Sequence, residues 1–244
     1  GTASVSSANA GSYTISNLSG ISIADNAGTA SNYTLTGGTH NFTVNQRPLV
    51  ATLARQYDGT TTSAGSTLSS FDALQGGETL TMTGSGTAAS ANVANGIAMS
   101  SNGNLALVNG TGDVSNYSLN STVINITQRI LNSSGSKTYD ANTNALAGAI
   151  TLSNLVSGET LNKSGTYTLS SPNAATYTIT NLESAISLSD GSGLASNSTL
   201  TGGTHNFTVN QRVVSVNGTR LYNALSTAVA SDLSTHANLV GSQT

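Results

Sequence analysis

The sequence predicts an all-β chain. It reads as tandem modules of about 82 residues, each a small antiparallel β-sandwich or β-grasp-like unit, in an elongated, stiff array. The first observation is composition. Ser, Thr, Asn and Gly make up 127 of the 244 residues, and only 7% of the chain is charged. These four types rank low in helix propensity, whereas Thr, Val, Ile and Tyr suit short strands between polar turns. The second observation is internal repetition. Thr34 to Arg47 reads TLTGGTHNFTVNQR and recurs unchanged from Thr199 to Arg212, with a diverged copy ending INITQR at Ile124 to Arg129. The third is local alternation, as in Thr79-Leu80-Thr81-Met82-Thr83.

Three markers keep one period. Arg47, Arg129 and Arg212 are spaced by 82 and 83 residues. Tyr57-Asp58-Gly59, Tyr139-Asp140-Ala141 and Tyr222-Asn223-Ala224 keep the same spacings, and Gly77-Glu78-Thr79-Leu80 returns as Gly158-Glu159-Thr160-Leu161. Cutting after each Gln-Arg divides the chain into 1–47, 48–129, 130–212 and 213–244. The middle two pieces are complete repeats, the first is the C-terminal part of one, and the last is the N-terminal part of another. A window cut from a longer repetitive protein is one reading. A head-to-tail polymer, in which the tail of one chain completes the head of the next, is the sharper one.

Within Pro48 to Arg129, Leu49, Ala51 and Leu53 alternate with Val50, Thr52 and Ala54, as a strand does. Tyr57-Asp58-Gly59-Thr60 is a turn whose glycine is free to take positive φ. Ile97 to Met99 and Leu105 to Val108 read as a hairpin across an Asn/Gly turn. Asn116 to Leu119 and Val123 to Thr127 close the repeat. In the sister copy, Phe42 and Val44 face one way and Thr43 and Asn45 the other. Ser69–Leu74 and Ser226–Leu233 do not alternate and are candidates for a helical turn. The main rival to separate modules is a continuous β-solenoid, whose coils run roughly 20–30 residues; no such sub-period stands out. Gln-Arg leads into each following repeat with no Pro/Gly linker, which favours stiffness.

Several function classes fall away. Seven Lys plus Arg cannot build a phosphate-tracking surface, so no nucleic-acid partner is expected. There is no Cys for disulfides or thiolate metal sites. No apolar stretch approaches the ~20 residues of a membrane-spanning helix.

The Tyr-Asp-Gly-Thr-Thr turn at 57–61, the Gly-Glu-Thr-Leu segments, and Asn32-Tyr33-Thr34-Leu35 or Asn116-Tyr117-Ser118-Leu119 leading to a terminal Gln-Arg carry a resemblance. They resemble the YDG-type repeat region of large secreted bacterial adhesins of the filamentous-haemagglutinin-like class. The third piece departs at Ala141 and at Asn197-Ser198, and the last at Asn223-Ala224. The resemblance implies an extracellular stalk or fibre module with no catalytic activity and no ligand-binding residue to carry over.

The repeat-defining turn residues Tyr57, Asp58, Gly59, Tyr139, Asp140, Tyr222 and Asn223 are the candidate site. Each Tyr could offer a sugar-stacking face, but a core-anchored Tyr with Asp closing an Asx-type turn is the favoured reading. His40 and His205 share one context, while the second repeat has Thr122 there and no further donors lie nearby; a solvent-facing strand-start histidine is expected rather than a metal ligand. His236 stands alone. Asp25 and Asp190 sit in Gly-containing loops with one carboxylate each, too few for calcium. Glu78 and Glu159 recur with the period, which argues against catalysis. Twelve Asn-x-Ser/Thr sequons occur, including Asn41, Asn125 and Asn206 as glycosylation candidates. Lys137 and Lys163, the two lysines, have no lysine counterpart in the other repeats, which disfavours an isopeptide crosslink.

These readings converge on a structural segment of an extracellular bacterial surface fibre, adhesin stalk or biofilm-matrix filament. No enzyme activity and no cofactor are expected. Its partners would be neighbouring copies of the same repeat or chain, with surface glycans in the alternative reading of an adhesive module.

Overall fold

A computed structural model of the chain describes residues 1–241, the side chains of 234–236 excepted. The chain is all-β. Among the described residues every helical segment is a three-residue 3₁₀ turn. Two compact units are present: Gly1–Arg55 with Thr60–Thr127, and Gln56–Gly59 with Gln128–Thr244.

The first unit is built on a six-stranded sheet. Its order is Thr62–Ala64, Ser85–Ala88, Ala94–Ser101, Tyr117–Thr127, Arg47–Gln56 and Leu68–Phe71. The alternation of Leu49, Ala51 and Leu53 points one row of side chains inward, and all three are fully buried. Ile124 and Ile126 do the same from the closing strand. Leu80–Thr83 pairs antiparallel with Ala106–Asn109, and Gly11–Thr14 with Asn41–Val44.

The second unit holds a four-stranded sheet of order Ile150–Ser153, Asn132–Thr138, His205–Asn210 and Ala175–Thr178. A three-stranded sheet joins Asn144–Leu146, Leu161–Thr168 and Ile186–Asp190. Leu131, Leu182, Ile186, Phe207 and Val209 lie at the heart of its core. Ser215–Gly218 pairs antiparallel with Leu233–Ala237.

Three expectations change. The strands are not all antiparallel: Asn132–Thr138 runs parallel to His205–Asn210, from Ser133 opposite His205 to Thr138 opposite Asn210. Bringing the first and last strands of a repeat side by side lets both bury their inward rows in one core. The hairpin between Ile97–Met99 and Leu105–Val108 does not form. Leu107 packs against the Leu49, Leu80 and Tyr117 cluster, which draws its strand to Leu80–Thr83. Ala94–Ser101 pairs instead with Tyr117–Thr127 and Ser85–Ala88. Finally, the stretch from Ser69 is extended, as part of Leu68–Phe71 on an edge against Arg47–Gln56. Within Ser226–Leu233 a 3₁₀ turn does form, at Ala230–Asp232.

The tyrosine turns share one backbone. Gly59, Ala141 and Ala224 all take left-handed φ, at 79°, 59° and 61°. Glycine occupies this region without cost, whereas an L side chain loses about 1–2 kcal/mol there. Ala141→Gly is therefore expected to stabilise the second unit by about 1 kcal/mol in urea unfolding. Gly59→Ala is expected to destabilise by about 1–3 kcal/mol, because its Cβ would meet Val156 Cγ1 at 2.9 Å in addition to the strained φ.

Candidate functional site

The Gln-Arg pair that ends each repeat performs two tasks. The glutamine ties down the 3₁₀ turn that precedes the closing strand. Gln46 Nε2 donates to Ser115 O at 3.0 Å, and Gln128 Nε2 donates to Ser196 O at 3.1 Å and Ser198 O at 3.2 Å. The arginine bridges two turns. Arg129 donates from Nε to Asn154 O, from Nη2 to Asn154 Oδ1 at 2.9 Å, and from Nη1 to Tyr57 O at 3.2 Å. Arg212 repeats the pattern on Asn238 O and, at 3.5 Å, on Tyr139 O. Arg47 donates from Nε to Ala73 O at 2.6 Å. A planar guanidinium suits this task because its donors are fixed in a fork.

The Gly-Glu-Thr-Leu marker has a role for every position. Gly77 and Gly158 take positive φ. Leu80 and Leu161 enter the cores. Thr79 and Thr111 exchange backbone-to-hydroxyl bonds in both directions, at 2.9 and 3.0 Å. Thr160 and Ser192 do the same at 2.8 and 3.1 Å. The glutamate receives a phenol: Tyr117 donates to Glu78, and Tyr57 donates to Glu159.

That last pair is a substitution of one tyrosine by another. Ser198 stands where the first unit has Tyr117, and the hydroxyl on the second glutamate comes from the Tyr57 turn, which belongs to the same compact unit. Tyr57 is buried there, with Asn197 as a further partner of its hydroxyl. Burial raises the Tyr57 phenol above its ordinary range, and the hydrogen bond to Glu159 adds to this. The Tyr117 phenol is raised chiefly by its bond to Glu78.

The predicted turn residues differ in environment. Tyr57 is buried, Tyr139 half-buried, and Tyr222 94% exposed. Asp140 Oδ1 accepts from Asn142 N at 3.1 Å and Asn223 Oδ1 from Leu225 N at 3.1 Å, both Asx turns. Lys137 Nζ reaches Asp140 Oδ1 at 2.9 Å, Asn142 O at 2.7 Å and Asn144 O at 3.0 Å, so it closes the turn as a donor. Arg220 plays the same part in the tail, donating to Leu225 O and Thr227 O; the counterpart of Lys137 is an arginine rather than a lysine. Lys137 holds the Asp140 carboxyl below its ordinary range.

Other candidates resolve into local structure. His205 is buried, not solvent-facing. One ring nitrogen contacts Ser133 Oγ at 2.9 Å and the other Leu200 O at 2.8 Å, so it is a satisfied core histidine. His40, half-buried, keeps the second contact, to Leu35 O at 2.8 Å. The His236 side chain lies outside the described residues. Asp25 and Asp190 accept from Ala30 N at 2.5 Å and Ala195 N at 2.7 Å, which is loop closure. Among the described residues no three His, Asp or Glu side chains gather as a metal-binding group. Asn41 is exposed on its strand, Asn206 is half-buried on a strand paired along both edges, and Asn125 Oδ1 accepts from Gly96 N at 2.8 Å.

Two outcomes follow. Tyr57→Phe is expected to lower the stability of the second unit by about 1.5–3 kcal/mol at neutral pH, since it removes a hydrogen bond to a carboxylate. Because folding raises the phenol's pKa, this stabilisation is complete below about pH 10 and is lost as pH rises through the folded value. The gap between the two proteins in urea unfolding should therefore close in alkali. Asp140 works in the opposite sense. Its folded pKa is depressed, so its contribution is present above about pH 4 and is lost as pH falls through the folded value. Lys137→Met should move the Asp140 carboxyl midpoint, followed by NMR, back up toward 3.8.

No curated protein and no solved structure matches the chain. The family model described as the YDG domain matches 82 residues, the length of the sequence period, from the strand Asn41–Val44 into the strand Tyr117–Thr127. The Tyr-Asp-Gly turn, the Gly-Glu-Thr-Leu segment and the clasping Arg47 all fall inside it, and the chain thus contains a YDG domain at residues 43–124.

Proposed function

We propose that this chain is a load-bearing repeat segment of an extracellular bacterial surface fibre, adhesin stalk or biofilm-matrix filament. Its β-modules follow one another in tandem, with small sandwich-like cores in a stiff array. The observation that carries the reading is the Arg129 clasp. One guanidinium holds the carbonyl of Tyr57, from one sequence repeat, and the carbonyl of Asn154, from the next. Force along the chain would load these bonds together with the buried Tyr57 side chain. The exposed Ser, Thr and Asn rows carry little charge, so copies can approach closely with little Coulomb repulsion. Secretion, the bacterial surface and the fibre itself are part of this reading.

The test is single-molecule stretching of the 244-residue chain. Arg129→Ala is expected to lower the force at which the second unit unfolds, and to destabilise it by about 1.5–3 kcal/mol in urea. An unchanged unfolding force would overturn the load-bearing role. A glycan array on the same protein addresses the adhesive alternative. Specific retention of one sugar class would replace the structural reading.

A further inference from the structure

Gln56–Gly59 belong to the second compact unit, although the residues on either side, through Arg55 and from Thr60, belong to the first. The turn leaves the repeat that encodes it and docks on the next. Three contacts hold it there. The Tyr57 hydroxyl donates to Glu159 and has Asn197 as a further partner. Arg129 Nη1 donates to the Tyr57 carbonyl at 3.2 Å. Gly59 lies so close to Val156 that a Cβ there would come within 2.9 Å of Val156 Cγ1. Tyr57 is 5% exposed as a result. A buried aromatic anchor with a charged partner, set in a fitted pocket, is how one surface recognises another.

The residues that receive the turn differ from their counterparts in Pro48–Arg129 at the points of contact. Counting from the Gly-Glu-Thr-Leu marker, Val156 stands where that repeat has Gln75, and Asn154 where it has Ala73. Ser198 stands where it has Tyr117. Each change serves the docked turn. Val156 gives the glycine an apolar seat. Asn154 Oδ1 accepts from Arg129 Nη2 at 2.9 Å, which fixes the guanidinium whose other nitrogen holds Tyr57. Ser198 clears the place that Tyr117 fills in the first unit, where Tyr117 donates to Glu78 and accepts from Gln75 N at 3.2 Å. The glutamate is common to both repeats. The size of the residue at this one position therefore decides where its phenol comes from.

We propose that this face of the second unit is a socket for a Tyr-Asp-Gly turn, and that Ser198 is the residue that keeps it open. Its ligand is the turn of the preceding repeat in the same chain. Glu159 and Asn197 read the phenol, and Arg129 reads the carbonyl. Val156 admits glycine and no larger residue at the third place. A small residue at position 198 interlocks two repeats, whereas a tyrosine there closes the repeat on itself. One substitution can in this way join consecutive repeats or leave them independent, with the rest of each repeat unchanged. In an array whose stability is a sum of repeat and neighbour terms, that residue sets the neighbour term.

The test exchanges the source of the phenol in the 244-residue chain. In Ser198→Tyr the new side chain is expected to reach Glu159 as Tyr117 reaches Glu78, displacing Tyr57 into solvent. Nitration by tetranitromethane with peptide mapping reads this directly. Tyr57, protected in the starting protein, should then react at a rate close to that of Tyr222, which is 94% exposed. Ser198→Ala keeps the place small and should leave Tyr57 protected. The second arm is rescue. Tyr57→Ala is expected to raise the unfolding equilibrium constant of the second unit about tenfold or more in urea, and Ser198→Tyr in the same chain should restore most of that loss. Ser198→Phe supplies the ring without the hydroxyl and should restore less. A Ser198→Tyr chain in which Tyr57 stays protected, one whose second unit no longer folds, or a double variant without recovery would overturn the inference. The socket requires no load on the chain, so a failure here leaves the Arg129 stretching experiment standing, and the converse also holds.

Discussion

The parallel pairing of Asn132–Thr138 with His205–Asn210 is the contact on which the second unit depends. It joins residues about seventy positions apart, such as Ser133 and His205. Closing a loop of that length costs roughly 4 kcal/mol beyond a constant. Burial of Phe207 and Val209 along the paired strand offsets it, at about 1.5–3 kcal/mol for each large side chain. Gly135 is what allows the ring of Phe207 to lie across the neighbouring backbone. The buried His205 fits the same logic. Its two ring nitrogens meet a hydroxyl on the partner strand and the Leu200 carbonyl in the loop before its own strand, so a polar side chain can sit in the core without an unmet group.

The Tyr57 turn adds a second layer of dependence. Its carbonyl is held by Arg129 and its hydroxyl by Glu159, so both ends of the residue are engaged. The glutamate then serves as a fixed acceptor for whichever tyrosine the local sequence supplies. In the first unit that is Tyr117, and where Ser198 replaces it the preceding turn supplies Tyr57. Each marker motif is a set of separate tasks distributed over adjacent residues. This explains why Ala141 and Ala224 can replace the glycine while their Asx turns and left-handed φ are kept.

Much of the fold class was legible because strand signals are local. The alternation around Leu49, Ala51 and Leu53 sets extended backbone and a buried face without reference to anything distant. Pairing partners were not legible. Leu105 to Val108 looked like the second half of a hairpin, and only the position of Leu80 and Tyr117 in space sends it elsewhere. The recurrence of Glu78 and Glu159 was visible, but their use as phenol acceptors was hidden. The partner tyrosine lies 39 residues away in one case and 102 in the other. The glutamine of Gln-Arg was equally visible and equally mute, since its acceptors are backbone carbonyls that carry no residue signature.

By itself, the sequence determined that this chain is all-β, that it carries a period of about 82 residues, and which positions alternate toward a core. Those properties follow from backbone propensity and near-neighbour side chains, which act within a few residues. Tertiary structure alone decided that the first and last strands of a repeat run parallel and that His205 is a core residue. It also decided that one Thr34–Arg47-type segment is buried while its identical twin is open. Identical local sequences can differ in this way because burial depends on which distant strand arrives to cover them. That is a property of chain closure and packing, not of the segment.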